Sequence, residues 1–258
     1  MDYLARIVQD VQRSIDDGYY RVLPKGLVGR QHSFCDAIMH SSPSRNAIIA
    51  ELKPASPSEG ALLGSRTVDD LLSLYAASGV KGLSVLTEPE HFRGSLEYLQ
   101  RASLLGLPLL MKDFVIGVEQ LDAARAHGAS AILLIATLFE RGYSPIELDT
   151  MIEEAHRRSL EVLLEVTSSD EYRQALQTGA EMIGINNRDL TTLRVDLNRT
   201  AEILSAAPKD RIVWSLSGMQ TKDDLKKLRE AGADAFLIGT NVLKADDPSA
   251  KLRRFQEG

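Results

Sequence analysis

The sequence predicts an α/β chain closed into a single (β/α)8 barrel of the TIM type, with an extra helical segment at its N-terminus, on three observations. Four segments, SGVKGLSVL, HGASAILLI, TGAEMIGI and AGADAFLIG, repeat one pattern of helix end, glycine and short apolar run. Their glycines, Gly79, Gly128, Gly179 and Gly232, recur with a period of about fifty residues. A further apolar run lies between each pair, at Leu107–Met111, Val162–Val166 and Ile212–Leu216, with another before the first repeat at Ala47–Leu52. Each period then holds two strands and two helices, and four periods give eight βα units.

Taken in order, the chain starts with a helix over Tyr3–Asp17, whose Leu4, Ile7, Val8, Val11 and Ile15 form one apolar stripe and which Gly18 ends. It packs against the barrel bottom, caps the mouth or mediates a dimer. Residues 1–46 form this extension and 47–258 the barrel. Within the barrel, each repeat glycine takes the left-handed conformation that ends a helix cheaply, and the apolar run after it reads as a strand buried on both faces. Apolar residues at three-and-four spacing predict helices over Val68–Ser78, Gly117–His127, Glu147–Ser159, Ser169–Thr178, Leu197–Ala206 and Thr221–Ala231. Ser169 with Glu171, and Thr221 with Asp223 and Asp224, supply capping signals. Strands alternating with helices mean parallel pairing through right-handed crossovers, and eight units with no edge left over mean closure. An open doubly wound sheet would offer a Gly-rich phosphate turn after its first strand, but that strand runs into LKPASPSEG.

Composition removes whole classes of function. Across 258 residues, 30 Lys+Arg stand against 36 Asp+Glu, a net charge of −6, which argues against a nucleic-acid partner or an anionic membrane surface. No apolar stretch approaches the ~20 residues that span a bilayer, and the acidic, alternating N-terminus is unlike a signal peptide. The single Cys35 forms no internal disulfide and gives no metal-ligand spacing, so no metal is expected and a cytoplasmic location fits best. Trp214, inside the seventh strand, reads as core filling.

In such a barrel the reactive groups lie at the C-terminal strand ends and in the loops that follow. Glu51 and Lys53 end strand one, two apart and so on one face; Lys112 ends strand three, Glu165 strand five, and Asn186, Asn187 and Arg188 strand six. A charge embedded in an apolar strand costs several kcal/mol of desolvation unless it is paired. Four such charges, Glu51, Lys53, Lys112 and Glu165, at one end of one barrel point to a catalytic mouth. The last two loops, SLSGM and LIGTN, place Gly218 and Gly239 where backbone N–H groups can approach an anion, as barrels do after strands seven and eight. The loop from Pro54 to Arg66, rich in Ser, Gly and Pro, is a candidate lid.

At these residues the sequence resembles the indole-3-glycerol-phosphate synthase family, from about Ile48 to Leu252. The resemblance rests on AELKPASPSEG, LSVLTEPEHFRGS, PLLMKDF, ASAILLIA, LLEV, IGINNRDL, SLSGM and FLIGTNVL. It implies a carboxy-lyase of tryptophan biosynthesis that closes the indole ring of 1-(2-carboxyphenylamino)-1-deoxyribulose 5-phosphate with loss of CO2 and water. A small phosphorylated molecule is the implied partner, without metal or organic cofactor, and the implied protein is a monomer or homodimer. By position, Lys112 resembles the general acid, and Lys53 the residue on the substrate carboxylate. Glu51 pairs with the lysines, Glu165 resembles the dehydration partner, and Asn186 and Arg188 hold the substrate. Ser56, Ser217, Gly218, Gly239 and Thr240 resemble the phosphate site; Phe92 and Phe114 resemble the aromatic lining.

One departure stands out. The family reads SESG or AESG at the end of strand seven, where this chain has Ser215-Leu216-Ser217-Gly218. Leu216 can neither pair with a lysine nor move a proton, so the mouth is expected to turn more positive and Lys112 or Lys53 to lose a possible partner. An altered or lost reaction on a related phosphorylated ligand is the alternative this departure raises. Ala136–Thr137, after strand four, carries no base.

Overall fold

A computed structural model describes residues 3–21, 23–57, 59–189 and 192–258. Ser58 of the first loop and Leu190 of the GINNRDL motif lie outside the described residues. Strands β1 (Ala47–Leu52), β2 (Gly82–Leu86), β3 (Leu109–Lys112), β4 (Ala131–Ile135), β5 (Glu161–Val166), β6 (Met182–Asn186), β7 (Ile212–Leu216) and β8 (Ala235–Ile238) pair in parallel in chain order, and β8 closes on β1. The register sets the mouth: Glu51 lies beside Ser84, Leu86 beside Lys112, Ile135 beside Glu165 and Asn186 beside Leu216. Polar strand ends therefore gather at one level, above an apolar interior.

The helices follow the expected periodicity with ends shifted by one or a few residues. Those expected are α3 (Val68–Ala77), α6 (Val118–Ala126), α8 (Leu148–Arg157), α9 (Ser169–Ala175), α10 (Asn198–Ala206) and α11 (Lys222–Glu230), while a short α7 (Ala136–Glu140) follows β4 directly. Capping boxes open three of them, Thr67 with Asp70, Ser168 with Glu171 and Thr221 with Asp224. The cap of α9 is thus Ser168 and not Ser169: its hydroxyl accepts from Glu171 N–H, while the Glu171 carboxylate accepts from Ser168 N–H. Strand β3 starts at Leu109, beyond Leu107, because Pro108 precedes it and Leu109 N–H bonds the Ser130 hydroxyl instead of a strand.

Gly79, Gly128 and Gly232 take positive φ as expected, at 70°, 88° and 114°. Gly179 is not among the positive-φ glycines. There α9 ends earlier, and Thr178 makes the turn, its hydroxyl donating to Ala175 O and accepting from Ala180 N–H.

The N-terminal segment runs from the mouth to the bottom. Helix α1 (Tyr3–Asp16) buries Leu4, Ile7, Val8, Val11 and Ile15, the expected stripe, and it lies at the mouth, where Tyr3, Leu4 and Ile7 share a recess with Lys53, Phe92 and Phe114. Asp10 Oδ2 meets His91 Nε2 at 2.8 Å on α4 (Pro89–Phe92). The chain then passes α5 (Leu96–Ser103), where Gln100 Nε2 donates to Lys25 O and Leu27 O.

At the bottom sits α2 (Phe34–Met39), a helix too short to show periodicity. Glu161, at the start of β5, accepts from Phe34 N–H at 2.7 Å and from the Ser33 hydroxyl, neutralising the exposed N–H groups of the α2 start. The Phe34 ring meets Trp214 edge-on at 5.0 Å, and Trp214 is fully buried, as expected of core filling. A Cβ on Gly82 would lie 2.2 Å from Phe34 Cε1, so β2 starts with glycine to admit the plug. Phe34→Ala is expected to lower the unfolding free energy by about 3–5 kcal/mol, read by chemical denaturation.

Candidate functional site

A cavity of about 530 Å³ opens at the C-terminal strand ends. It is lined by Glu51, Lys53, Phe92, Lys112, Phe114, Glu165, Asn186, Arg188, Ser217, Gly218, Gly239 and Thr240, twelve of the thirteen residues expected of the site. The thirteenth, Ser56, lines the smaller recess under α1, which shares Lys53, Arg188, Thr240 and both phenylalanines with the main cavity. Leu86, Leu133, Ile135, Leu216, Leu237 and Ile238 supply the apolar surface.

Two lysine–carboxylate pairs hold the centre. Lys53 Nζ lies 2.9 Å from Glu51 Oε2, and Lys112 Nζ 3.6 Å from Glu165 Oε2. Burial pushes the Glu51 carboxyl up, but Lys53, Lys112 and Arg188 outweigh it, so the group titrates below the ordinary carboxylate range and stays ionised. One oxygen of Glu165 accepts from Asn186 Nδ2 at 2.8 Å. The other, Oε2, is buried without a hydrogen bond among the described residues, so it faces Lys112 with its lone pairs uncommitted. Asn186 is itself held, its Oδ1 accepting from Arg188 N–H at 3.0 Å.

Each glycine of the last two loops has a steric reason. A Cβ on Gly239 would stand 2.5 Å from Glu51 Oε2. Gly239→Ala is therefore expected to push Glu51 off Lys53 and to lower kcat/KM by about 10²-fold with the fold retained, as judged by circular dichroism. Gly218 has φ 89° and Ser217 φ 67°, successive left-handed residues of the kind that turn N–H groups toward one concavity. Asn187 fixes that turn from β6: its amide donates to the Ser215 hydroxyl, Leu216 O and Ser217 O, and its carbonyl accepts from the Thr200 hydroxyl.

The described residues of the candidate lid loop form a short hairpin. Ala55–Ser56 pairs with Gly60–Ala61, Leu62 N–H bonds Pro54 O, and Arg66 donates to Leu243 O and Ala245 O. Glu59 pairs with Lys244, and the hydrogen bond from that ammonium holds the Glu59 carboxyl below its ordinary value. Glu59 and Lys244 both line the cavity, and so do Gln220, Asn241 and Lys251, none of which sequence reasoning singled out. All five are exposed-type residues on loops and helix starts, with no apolar strand around them to mark them out.

Leu216 is 2 % exposed and packs over Gly184, where a Cβ would lie 2.8 Å from Leu216 Cδ1. Leu216 offers neither lysine a partner, and Lys53 and Lys112 pair instead with Glu51 and Glu165.

A parallel barrel with ionised pairs and glycine loops at its C-terminal mouth belongs to the barrel enzymes that handle small anionic substrates there. Comparison with known proteins narrows the class. The family model described as indole-3-glycerol phosphate synthase matches residues 4–255, and the chain belongs to that family. It is 40% identical to the indole-3-glycerol phosphate synthase of Koribacter versatilis over 221 residues, covering 85% of this chain and 84% of the relative. It is 36% identical to that of Acetivibrio thermocellus over 252 residues, 97% of this chain and 95% of the relative. Among solved structures, thiamine phosphate pyrophosphorylase from Pyrococcus furiosus superposes with TM-score 0.58 over 81% of this chain and 93% of that one; at 16% identity it shows the fold alone. Nothing in these comparisons favours the altered reaction that Leu216 raised over the family's own.

Proposed function

We propose that the mouth closes an indole ring, converting 1-(2-carboxyphenylamino)-1-deoxyribulose 5-phosphate to indole-3-glycerol phosphate with loss of CO2 and water. The observation that carries this reading is the pairing of Lys112 with a carboxylate, Glu165, one of whose oxygens has no hydrogen bond among the described residues. Lys112 gives its proton to the ketone oxygen as the carboxylate-bearing ring carbon attacks the ketone carbon. Carbon dioxide then leaves its electron pair in the ring. The new hydroxyl departs as water, for which Lys53 supplies a proton while Glu165 takes one from the substrate. Glu51 pairs with Lys53 and aims its ammonium, and Asn186 and Arg188 hold the substrate chain.

Phosphate sits in the concavity of Ser217, Gly218, Gly239 and Thr240, with Ser56 approaching from the recess. Phe92 and Phe114, whose ring centroids are 6.0 Å apart, take the aromatic ring. The cavity lies within the size range of small-molecule sites, ~300–1,000 Å³. Fluorescence of the indole product on mixing protein with the phosphorylated substrate tests the reading, with Lys112→Ala as its control.

A further inference from the structure

Asp113 follows Lys112 directly, is 2 % exposed, and among the described residues is bonded by neutral donors. The Thr87 hydroxyl donates to its Oδ2 at 2.5 Å and the Tyr20 hydroxyl to the same oxygen at 3.0 Å, while Phe114 N–H donates to Oδ1 at 2.8 Å. Burying a carboxylate without a cation beside it carries a desolvation cost that a packed apolar residue would avoid. The bonds show what it does. Thr87, at the end of β2, also donates its N–H to Lys112 O at 3.2 Å, so Thr87 joins Lys112 and the Asp113 carboxylate in one closed ring. The other carboxylate oxygen fixes the residue after it, Phe114. Asp113 thereby brackets the peptide that carries the Lys112 side chain into the cavity. Outside the ring, the Tyr19 hydroxyl donates to Thr87 O at 2.9 Å and accepts from Leu96 N–H at 3.1 Å.

We propose that Asp113 is the positioning residue for Lys112, and that Tyr20 lets the N-terminal segment act on the reaction through it. This rests on the reading of Lys112 as the general acid. All three partners donate to it, the pattern of an ionised carboxylate; a protonated one keeps its bonds only by turning the Thr87 or Tyr20 hydroxyl round to accept.

The environment sets where that happens. Burial pushes the Asp113 carboxyl up to about 7, the bonds from Thr87, Phe114 N–H and Tyr20 hold it down, and the charge on Glu88 raises it. The titratable and charged groups facing it are Tyr19 and Tyr20 from the N-terminal turn, Glu88 at the start of α4 and Lys112 on its own strand. Its folded value lies above its ordinary 3.8, so the native state holds the proton more tightly than the unfolded chain. Its contribution to stability is full below about pH 4 and is lost as pH rises through about 7, whereas ionisation through about 7 sets Thr87 and Tyr20 as donors in the ring around Lys112. Activity and stability therefore change in opposite directions with pH, which a purely structural carboxylate would not produce.

Tyr20→Phe removes one donor and keeps the ring packing. It is expected to lower kcat by about tenfold at pH 7 with KM within about twofold, and to move the acid limb of kcat to higher pH, because the lost bond held Asp113 down. Asp113→Asn is expected to lower kcat further and to abolish that limb. Lys112→Ala is assayed in parallel. Loss of activity in Lys112→Ala, with Tyr20→Phe matching the parent in kcat and in its acid limb, overturns the positioning role; full activity in Lys112→Ala overturns the reading of Lys112 itself. If Asp113→Asn does not fold, Tyr20→Phe decides alone.

Discussion

Lys112→Ala is expected to lower kcat by on the order of 10³-fold, with KM changed by no more than about threefold, in a steady-state fluorescence assay of indole formation. The split follows from the geometry. Lys112 ends β3 in the centre of the cavity, opposite Glu165, whereas the glycine loops of β7 and β8 gather separately at Ser217–Gly218 and Gly239–Thr240. On the proposed roles, truncation at 112 removes the proton donor and leaves the proposed phosphate site intact, so ground-state binding is kept and the barrier rises. A loss shared equally between kcat and KM would assign Lys112 to substrate holding instead.

Glu165→Gln is expected to lower kcat by about 10²- to 10³-fold at little cost in stability. The amide matches the carboxylate in size, and its oxygen can still accept from Asn186 Nδ2, the bond that is now 2.8 Å long. What disappears is the charge opposite Lys112 and the carboxylate oxygen that has no hydrogen bond among the described residues and can take a substrate proton. Because dehydration comes after ring closure and decarboxylation, CO2 release in a single turnover is expected to outrun indole formation in this variant. In Lys112→Ala both are expected to slow together. Equal rates of CO2 and indole formation in Glu165→Gln would remove Glu165 from the dehydration step.

The barrel and most of the mouth were legible in the sequence for one physical reason. A buried parallel strand is apolar throughout, so Glu51, Lys112 and Glu165 stand out at its end, and the repeat glycines mark where each strand begins. The same logic misses whatever is short or depends on contacts from afar. Helix α2 is too brief to show a period, and nothing local announces that Phe34 plugs the barrel against Trp214. The stripe on α1 told which face is buried but not that Tyr3, Leu4 and Ile7 border the mouth. Gly179 had the right spacing, yet Thr178 makes the turn there, which removes the need for a left-handed residue. Leu216 was read through charge and proton transfer, and the sequence did not say that each lysine pairs with a carboxylate of its own. The buried ring of Tyr20, Thr87 and Asp113 joins residues 93 positions apart in the chain, beyond the reach of any periodicity.

The central claim is that this mouth closes the indole ring, and its most direct test is the rise of indole fluorescence when purified protein meets 1-(2-carboxyphenylamino)-1-deoxyribulose 5-phosphate. The expected result is stoichiometric product with many turnovers per protein molecule, abolished to background in Lys112→Ala. Binding of the substrate with no indole signal above that of Lys112→Ala would contradict it.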